Sequence, residues 1–176
     1  MTSRQTRTNG GTEVERRTGF ERWVTSLFER RRSRGFVTGL VAGGIAAVVM
    51  SCFRTPISQS PPPTAWFWAK YVGDGDPHEH VAPGLILHLL YGVAGGGAFG
   101  AIVAARESDS DSESESERRG TLLGLVYGLL LSGFGVSVVL KRVLGLDLEP
   151  DERFVFHVSH VVYGLTLGTW FGANAP

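Results

Sequence analysis

Cysteine is nearly absent from this 176-residue chain. The single Cys52 excludes an internal disulfide and any multi-cysteine metal site. Lysine is almost as scarce. Of 17 basic residues only Lys70 and Lys141 are Lys, the other 15 being Arg. Net charge is zero, with 17 acidic residues against 17 basic, and carries no information about partners. No nucleophile–base–acid constellation is visible, so no catalytic residue is assigned and an enzyme is the least expected class. The most telling absence is local. Charge is missing altogether from Gly35–Phe53, Gly84–Ala105, Gly120–Leu140 and Phe154–Ala173.

Each of these four runs approaches the ~20 apolar residues that a bilayer-spanning helix needs at 1.5 Å rise per residue. A soluble bundle would give its helices a charged face, and none of the four has one. The expected fold class is therefore all-α: an integral membrane four-helix bundle with the lipid bilayer as its partner. Nucleic acid is not an expected partner. The first run follows 34 polar residues, and no small-residue cleavage site succeeds it, so it does not read as a signal peptide.

Arginine placement orients the bundle. Nine Arg precede the first run (Arg4, Arg7, Arg16, Arg17, Arg22, Arg30, Arg31, Arg32, Arg34), and Arg106, Arg118 and Arg119 lie between the second and third. The opposite side holds Arg54, Lys70, Lys141, Arg142 and Arg153. Twelve against five predicts a multi-pass cell-membrane protein with both termini cytoplasmic. Within residues 1–34, Phe20, Trp23, Val24, Leu27 and Phe28 share helical spacing and predict an amphipathic helix at the cytoplasmic interface, after a disordered start over residues 1–12. Residues 106–119 are expected to form an acidic disordered loop, because Glu107–Glu117 reads ESDSDSESESE with no apolar residue. Acidic tracts with few Lys resemble those of salt-loving archaea, which suggests such a source.

The chain repeats itself. Span one opens Arg34-Gly35-x-x-x-Gly39-Leu40-Val41-x-Gly43 and span three opens Arg119-Gly120-x-x-x-Gly124-Leu125-Val126-x-Gly128. His88, Tyr91, Gly92, Gly96, Phe99 and Gly100 recur as His160, Tyr163, Gly164, Gly168, Phe171 and Gly172, six identities at one offset of 72 residues. Repeat 1 covers residues 35–105 and repeat 2 residues 120–176. Each holds two spans, so the halves enter from one side and are related by an axis along the membrane normal.

Glycines recur every fourth residue in all four spans, at Gly35, Gly39 and Gly43, Gly92, Gly96 and Gly100, Gly120, Gly124 and Gly128, and Gly164, Gly168 and Gly172. Lipid supplies no hydrophobic force between helices, so close backbone approach must hold them together. These ladders predict tight helix pairs. A glycine face is also a surface through which two copies could pair as a homodimer.

Polar residues inside such spans are a default site hypothesis. His88 and His160 fall about 6–10 Å below the outer boundary, with Tyr91 and Tyr163 one turn on and His157 one turn before His160. A pocket lined by His88, Tyr91, His157, His160 and Tyr163 is expected to open outward, rimmed by Glu79 and Glu152. The bland reading is that each imidazole bonds a neighbouring helix. The others are a proton or small-solute path and a bis-imidazole haem site, against which tight packing argues; the cofactor is left unassigned. Asp76-Pro77-x-Glu79 and Glu149-Pro150-x-Glu152 resemble capping boxes opening the even-numbered spans, with Pro83 a point where span two kinks or restarts. Asp74, Asp76, His78, Glu79 and His80 diverge too much on a short helix for a metal site, so none is assigned. The aromatic run Thr64–Tyr71 after Pro61-Pro62-Pro63 predicts a short interfacial helix.

The stretch from Gly39-Leu40-Val41-Ala42-Gly43 through the Pro-rich loop to Tyr71-Val72-Gly73 and Asp76-Pro77, before a His-bearing span, resembles the YagU-type inner-membrane proteins. The likeness covers residues 35–172 except the serine–acid loop. It implies a small multi-spanning topology and no catalytic set.

Overall fold

The computed structural model describes residues 11–58, 60–105 and 112–174, with side chains at Ser26 and from Glu29 onward. Among them every regular element is helical. The order is α1 (Gly11–Arg54), α2 (Pro63–Tyr71), a 3₁₀ turn (Pro77–His80), α3 (Val81–Ala104), α4 (Glu113–Phe134), a π-helical continuation (Gly135–Leu144) and α5 (Pro150–Ala173). Three stretches are long and apolar enough to cross a bilayer: Glu29–Arg54, Pro77–Ala104 and Glu113–Leu144. Helix α5 is not among them. It is 24 residues long, but His157, His160, Ser159 and Tyr163 dilute its apolar content.

Several boundaries differ from those the sequence suggests. No break separates residues 11–34 from the first apolar run: α1 continues through Arg30–Arg34 because Arg is a good helix former and no Pro intervenes. It stops at Arg54, where Pro56 disfavours helical backbone at Thr55. The aromatic face at Phe20, Trp23, Val24, Leu27 and Phe28 and the start of the chain lie outside the described side chains. The acidic loop is shorter than its composition implies, since residues 113–119 are the first turns of α4. Glu113 and Glu115 sit there against the positive end of the helix dipole. Residues 106–111 lie outside the described set. The third run also extends beyond Leu140, as the π-helical segment reaches Leu144 and ends at Gly145 in the left-handed conformation (φ 73°).

Two seams organise the packing. Helix α1 lies on α3 so closely that a Cβ on Gly39 would meet the Gly96 carbonyl, and one on Gly100 the Gly35 carbonyl. Helix α4 lies on α5 in the same manner, with Gly124 against the Gly164 carbonyl, Gly168 against the Gly120 carbonyl and Gly128 against the His160 carbonyl. Helix α5 also packs on α1, while α3 and α4 barely touch. Phe99, Leu167 and Phe171 fill the centre with Ala42, Ala46 and Ala47.

Side-chain size is distributed inside out. Ala42, Ala46 and Ala47 are fully buried, whereas Val37, Val41, Ile45 and Val48 of the same helix face outward. Leu122, Val126, Leu129 and Leu130 are likewise exposed on α4. So large a continuous apolar exterior suits hydrocarbon as the surrounding solvent.

Candidate functional site

Helices α1, α2, α3, α4 and α5 and the π-helical segment converge at one end of the molecule around a partly open cavity of about 110 Å³. From α1 come Met50 and Arg54, from α2 Pro63 and Thr64, from α3 His88 and Tyr91, and from α5 Phe156 and His160. A void of about 20 Å³ lies against the same His88, Tyr91 and His160 and reaches Tyr163 and Gly92. A larger cavity of about 330 Å³ shares Met50, Arg54 and His88 and extends to Ser58, Pro62 and His78.

Local structure explains how the parts arrive. Pro63 opens α2 at a first helical position, where its fixed φ fits and its missing N–H is not needed. Helix α2 then seats Ala65 on Gly84, whose Cβ, if present, would stand 2.7 Å from the Ala65 backbone. At its other end Lys70 Nζ donates to the carbonyls of Val143 (2.9 Å) and Leu144 (3.1 Å), and Tyr71 Oη to Val143 (2.8 Å). These carbonyls close the π-helical segment and lack partners within it, so α2 both covers the cavity and caps its neighbour. Gly135 leaves space for the Phe156 ring, since a Cβ there would lie 2.7 Å from Phe156 Cζ.

The histidines differ in what they bond. His160 Nδ1 lies 2.8 Å from the Phe156 carbonyl. A carbonyl only accepts, so Nδ1 carries a proton and the neutral ring keeps its lone pair on Nε2. The Phe156 ring tilts against it at 4.4 Å between centroids. The His88 ring makes no hydrogen bond among the described residues. Tyr163 Oη donates to Gly92 O (2.6 Å) and Tyr127 Oη to Gly95 O (2.8 Å), tying α5 and α4 to α3. Past Tyr163 the interior closes on Phe99, Leu167 and Phe171.

Of the residues named from sequence, His88, Tyr91, His160 and Tyr163 line these neighbouring spaces. His157 does not. Three positions before His160 on the helix, it turns toward α4, with Nδ1 2.6 Å from Ser132 Oγ. Glu152 stands beside the cavity entrance, where its carboxylate accepts from Ser58 Oγ at 2.8 Å. Glu79 lines none of the three cavities and remains exposed on the 3₁₀ turn. The capping boxes are incomplete: Asp76 accepts from the His78 N–H at 2.8 Å, whereas Glu149 makes no side-chain cap. That amide bond, followed by the one to the His78 ring, holds the Asp76 carboxyl below its ordinary pKa. Pro83 sits in the first turn of α3, where it displaces no intrahelical bond.

Arg54 and Thr64 are the site residues that sequence reasoning missed. Arg54 Nη2 donates to Ser58 Oγ (3.1 Å) and Ser60 O (3.4 Å), and its other N–H groups make no hydrogen bond among the described residues. Thr64 Oγ1 is buried without a partner. One signal was available: Arg54 interrupts an otherwise uncharged approach to the Pro-rich loop, on the side where basic residues are few. Among the described residues no three His, Cys, Asp or Glu side chains converge as a metal site. His80 Nε2 instead faces Asp74 O at 3.0 Å and His78 Nδ1 faces Asp76 at 2.8 Å. No family model, curated protein or solved structure matches this chain.

Proposed function

We propose that this is a multi-pass membrane protein, a four-helix bundle of two tandem hairpins, that passes protons or a small solute by way of its His/Tyr cavity. The observation that carries the reading is the pairing of His88 from α3 and His160 from α5 on one cavity. Ionisable side chains among apolar helices are costly and mark ion or solute pathways. Helix α5 is the fourth span in this reading. Its polar side chains Ser159, His160 and Tyr163 are buried against its neighbours, which removes their cost in lipid. The matched glycine seams support a duplication, with the hairpins related by an axis along the membrane normal. The excess of Arg before α1 and around residues 106–119 supports cytoplasmic termini, so that the cavity opens outward. Kinship with the YagU-type proteins belongs to the same proposal and concerns topology.

The cavity narrows at Tyr163, so passage requires the hairpins to shift against each other. The alternative of a structural or partner-binding subunit draws on His157, whose bond to Ser132 holds α5 to α4. The bis-imidazole haem alternative has little room, since the cavity that His88 and His160 both line, about 110 Å³, is well under the ~300 Å³ at which pockets for larger organic ligands begin.

Proteoliposomes test the proposal. Proton entry is followed with an internal pH dye and small-solute entry by light-scattering swelling. Wild type is expected to exceed protein-free vesicles in at least one assay, and His88→Ala plus His160→Ala to lose that excess while melting normally in detergent. Wild-type vesicles no leakier than empty ones in both assays would overturn it.

A further inference from the structure

The donors around the α2-capped cavity outnumber its acceptors. Arg54 brings a fixed positive charge and uses only Nη2, on Ser58 and Ser60. Thr64 contributes a buried hydroxyl with neither a protein partner nor solvent. His88 has no hydrogen bond among the described residues, and His160, whose Nδ1 serves the Phe156 carbonyl, offers Nε2 as an acceptor while neutral and as a donor only when protonated. The nearby carboxylate, Glu152, accepts from Ser58 Oγ at 2.8 Å and does not line the cavity, although its charge acts on the Arg54 guanidinium. A buried unpaired hydroxyl and a partly desolvated guanidinium are both destabilising until something accepts from them.

The geometry points to a binding site for a small oxyanion, a carboxylate or a phosphate group, held by the Arg54 guanidinium and the Thr64 hydroxyl with His88 and His160 beside it. This rests on the cavity of the proposed permeation site but not on transport itself. Arginine's planar fork matches two oxygens of such a group at once. About 110 Å³ holds roughly three to four water-sized atoms at ~30 Å³ each, which suits one carboxylate or phosphate group. The adjoining cavity of about 330 Å³, which also borders Arg54, gives room for whatever the group is attached to. The same chemistry can come from a free anion or from a lipid headgroup phosphate.

Equilibrium dialysis of the full-length, delipidated protein in non-ionic detergent against labelled inorganic phosphate and labelled acetate tests the site. Phosphorus assay and mass spectrometry of the protein before delipidation test the lipid source. Saturable binding of one free oxyanion, or stoichiometric phospholipid that Arg54→Gln no longer retains, supports the proposal and identifies the source. Arg54→Gln and Arg54→Lys are each expected to weaken binding at least tenfold, and Thr64→Val several-fold. Glu152→Gln is expected to tighten binding several-fold, because it removes the nearest competing negative charge. That variant separates an oxyanion from a cation, which it would release, and Thr64→Val serves if the Arg54 variants fold poorly. No binding of either oxyanion together with no retained phospholipid, or a Glu152→Gln variant that binds more weakly, overturns the proposal. Oxyanion binding without flux leaves this site standing and removes the permeation reading; flux without binding does the reverse.

Discussion

Replacing Gly96 with Ala adds one methyl group, yet the seam between α1 and α3 has no space for it. The new Cβ would clash with the Gly39 carbonyl oxygen and the Gly43 Cα, and would lie 2.7 Å from Gly43 N. All three are backbone atoms of a helix, so no rotamer relieves the overlap. The helices must separate by about 1 Å, which forfeits a quarter to a half of each dispersion contact along the seam. Overpacking of this kind costs about 1–3 kcal/mol, against which the better helix propensity of Ala returns at most about 1 kcal/mol. A net loss of about 1–2 kcal/mol is expected. Gly133 provides the control, since a Cβ there meets nothing within 4 Å. Gly133→Ala should therefore gain the propensity term alone, up to about 1 kcal/mol. Both variants are read by circular dichroism during thermal unfolding in the same detergent, with Gly168→Ala reporting on the equivalent α4–α5 seam. If Gly96→Ala unfolds at or above the temperature of Gly133→Ala, close backbone approach is not what holds α1 to α3.

Tyr163→Phe keeps the ring and deletes the hydroxyl that donates to Gly92 O at 2.6 Å. It should cost about 1 kcal/mol and lower the detergent melting temperature by a few degrees, whereas an unchanged melt would mean that the bond contributes nothing to joining α5 to α3. Asp76 supplies a pH dependence. Its carboxyl is held below its unfolded value by the His78 amide, so its stabilisation of the 3₁₀ turn is present above the unfolded pKa and is lost as pH falls through the lower, folded one. Hydrogen exchange at the His78 amide should accelerate over that acid range in wild type and lose this pH dependence in Asp76→Asn; identical profiles would remove the cap from the argument.

Much of this molecule was legible before any coordinate. Absence of charge located the three helices that are apolar enough to cross a bilayer, because a charged group in hydrocarbon is costly whatever the fold; the fourth uncharged run is the more polar α5. Glycine spacing of four placed small residues on one face of each helix, and the offset of 72 residues singled out His88 and His160, which line one cavity. Tertiary structure decided the rest. Periodicity states which residues share a face but not which helix that face meets, so it could not separate His160, turned to the cavity, from His157, turned to Ser132. Nor could composition find Arg54 and Thr64. They are ten residues apart in the chain, and only the docking of α2 by Ala65 on Gly84 and by Lys70 on the Val143 carbonyl brings them to one space. Helical propensity and solvent preference act on local sequence and can be read from it. A cavity is the gap left where separate elements meet, and its lining is set by how those elements pack.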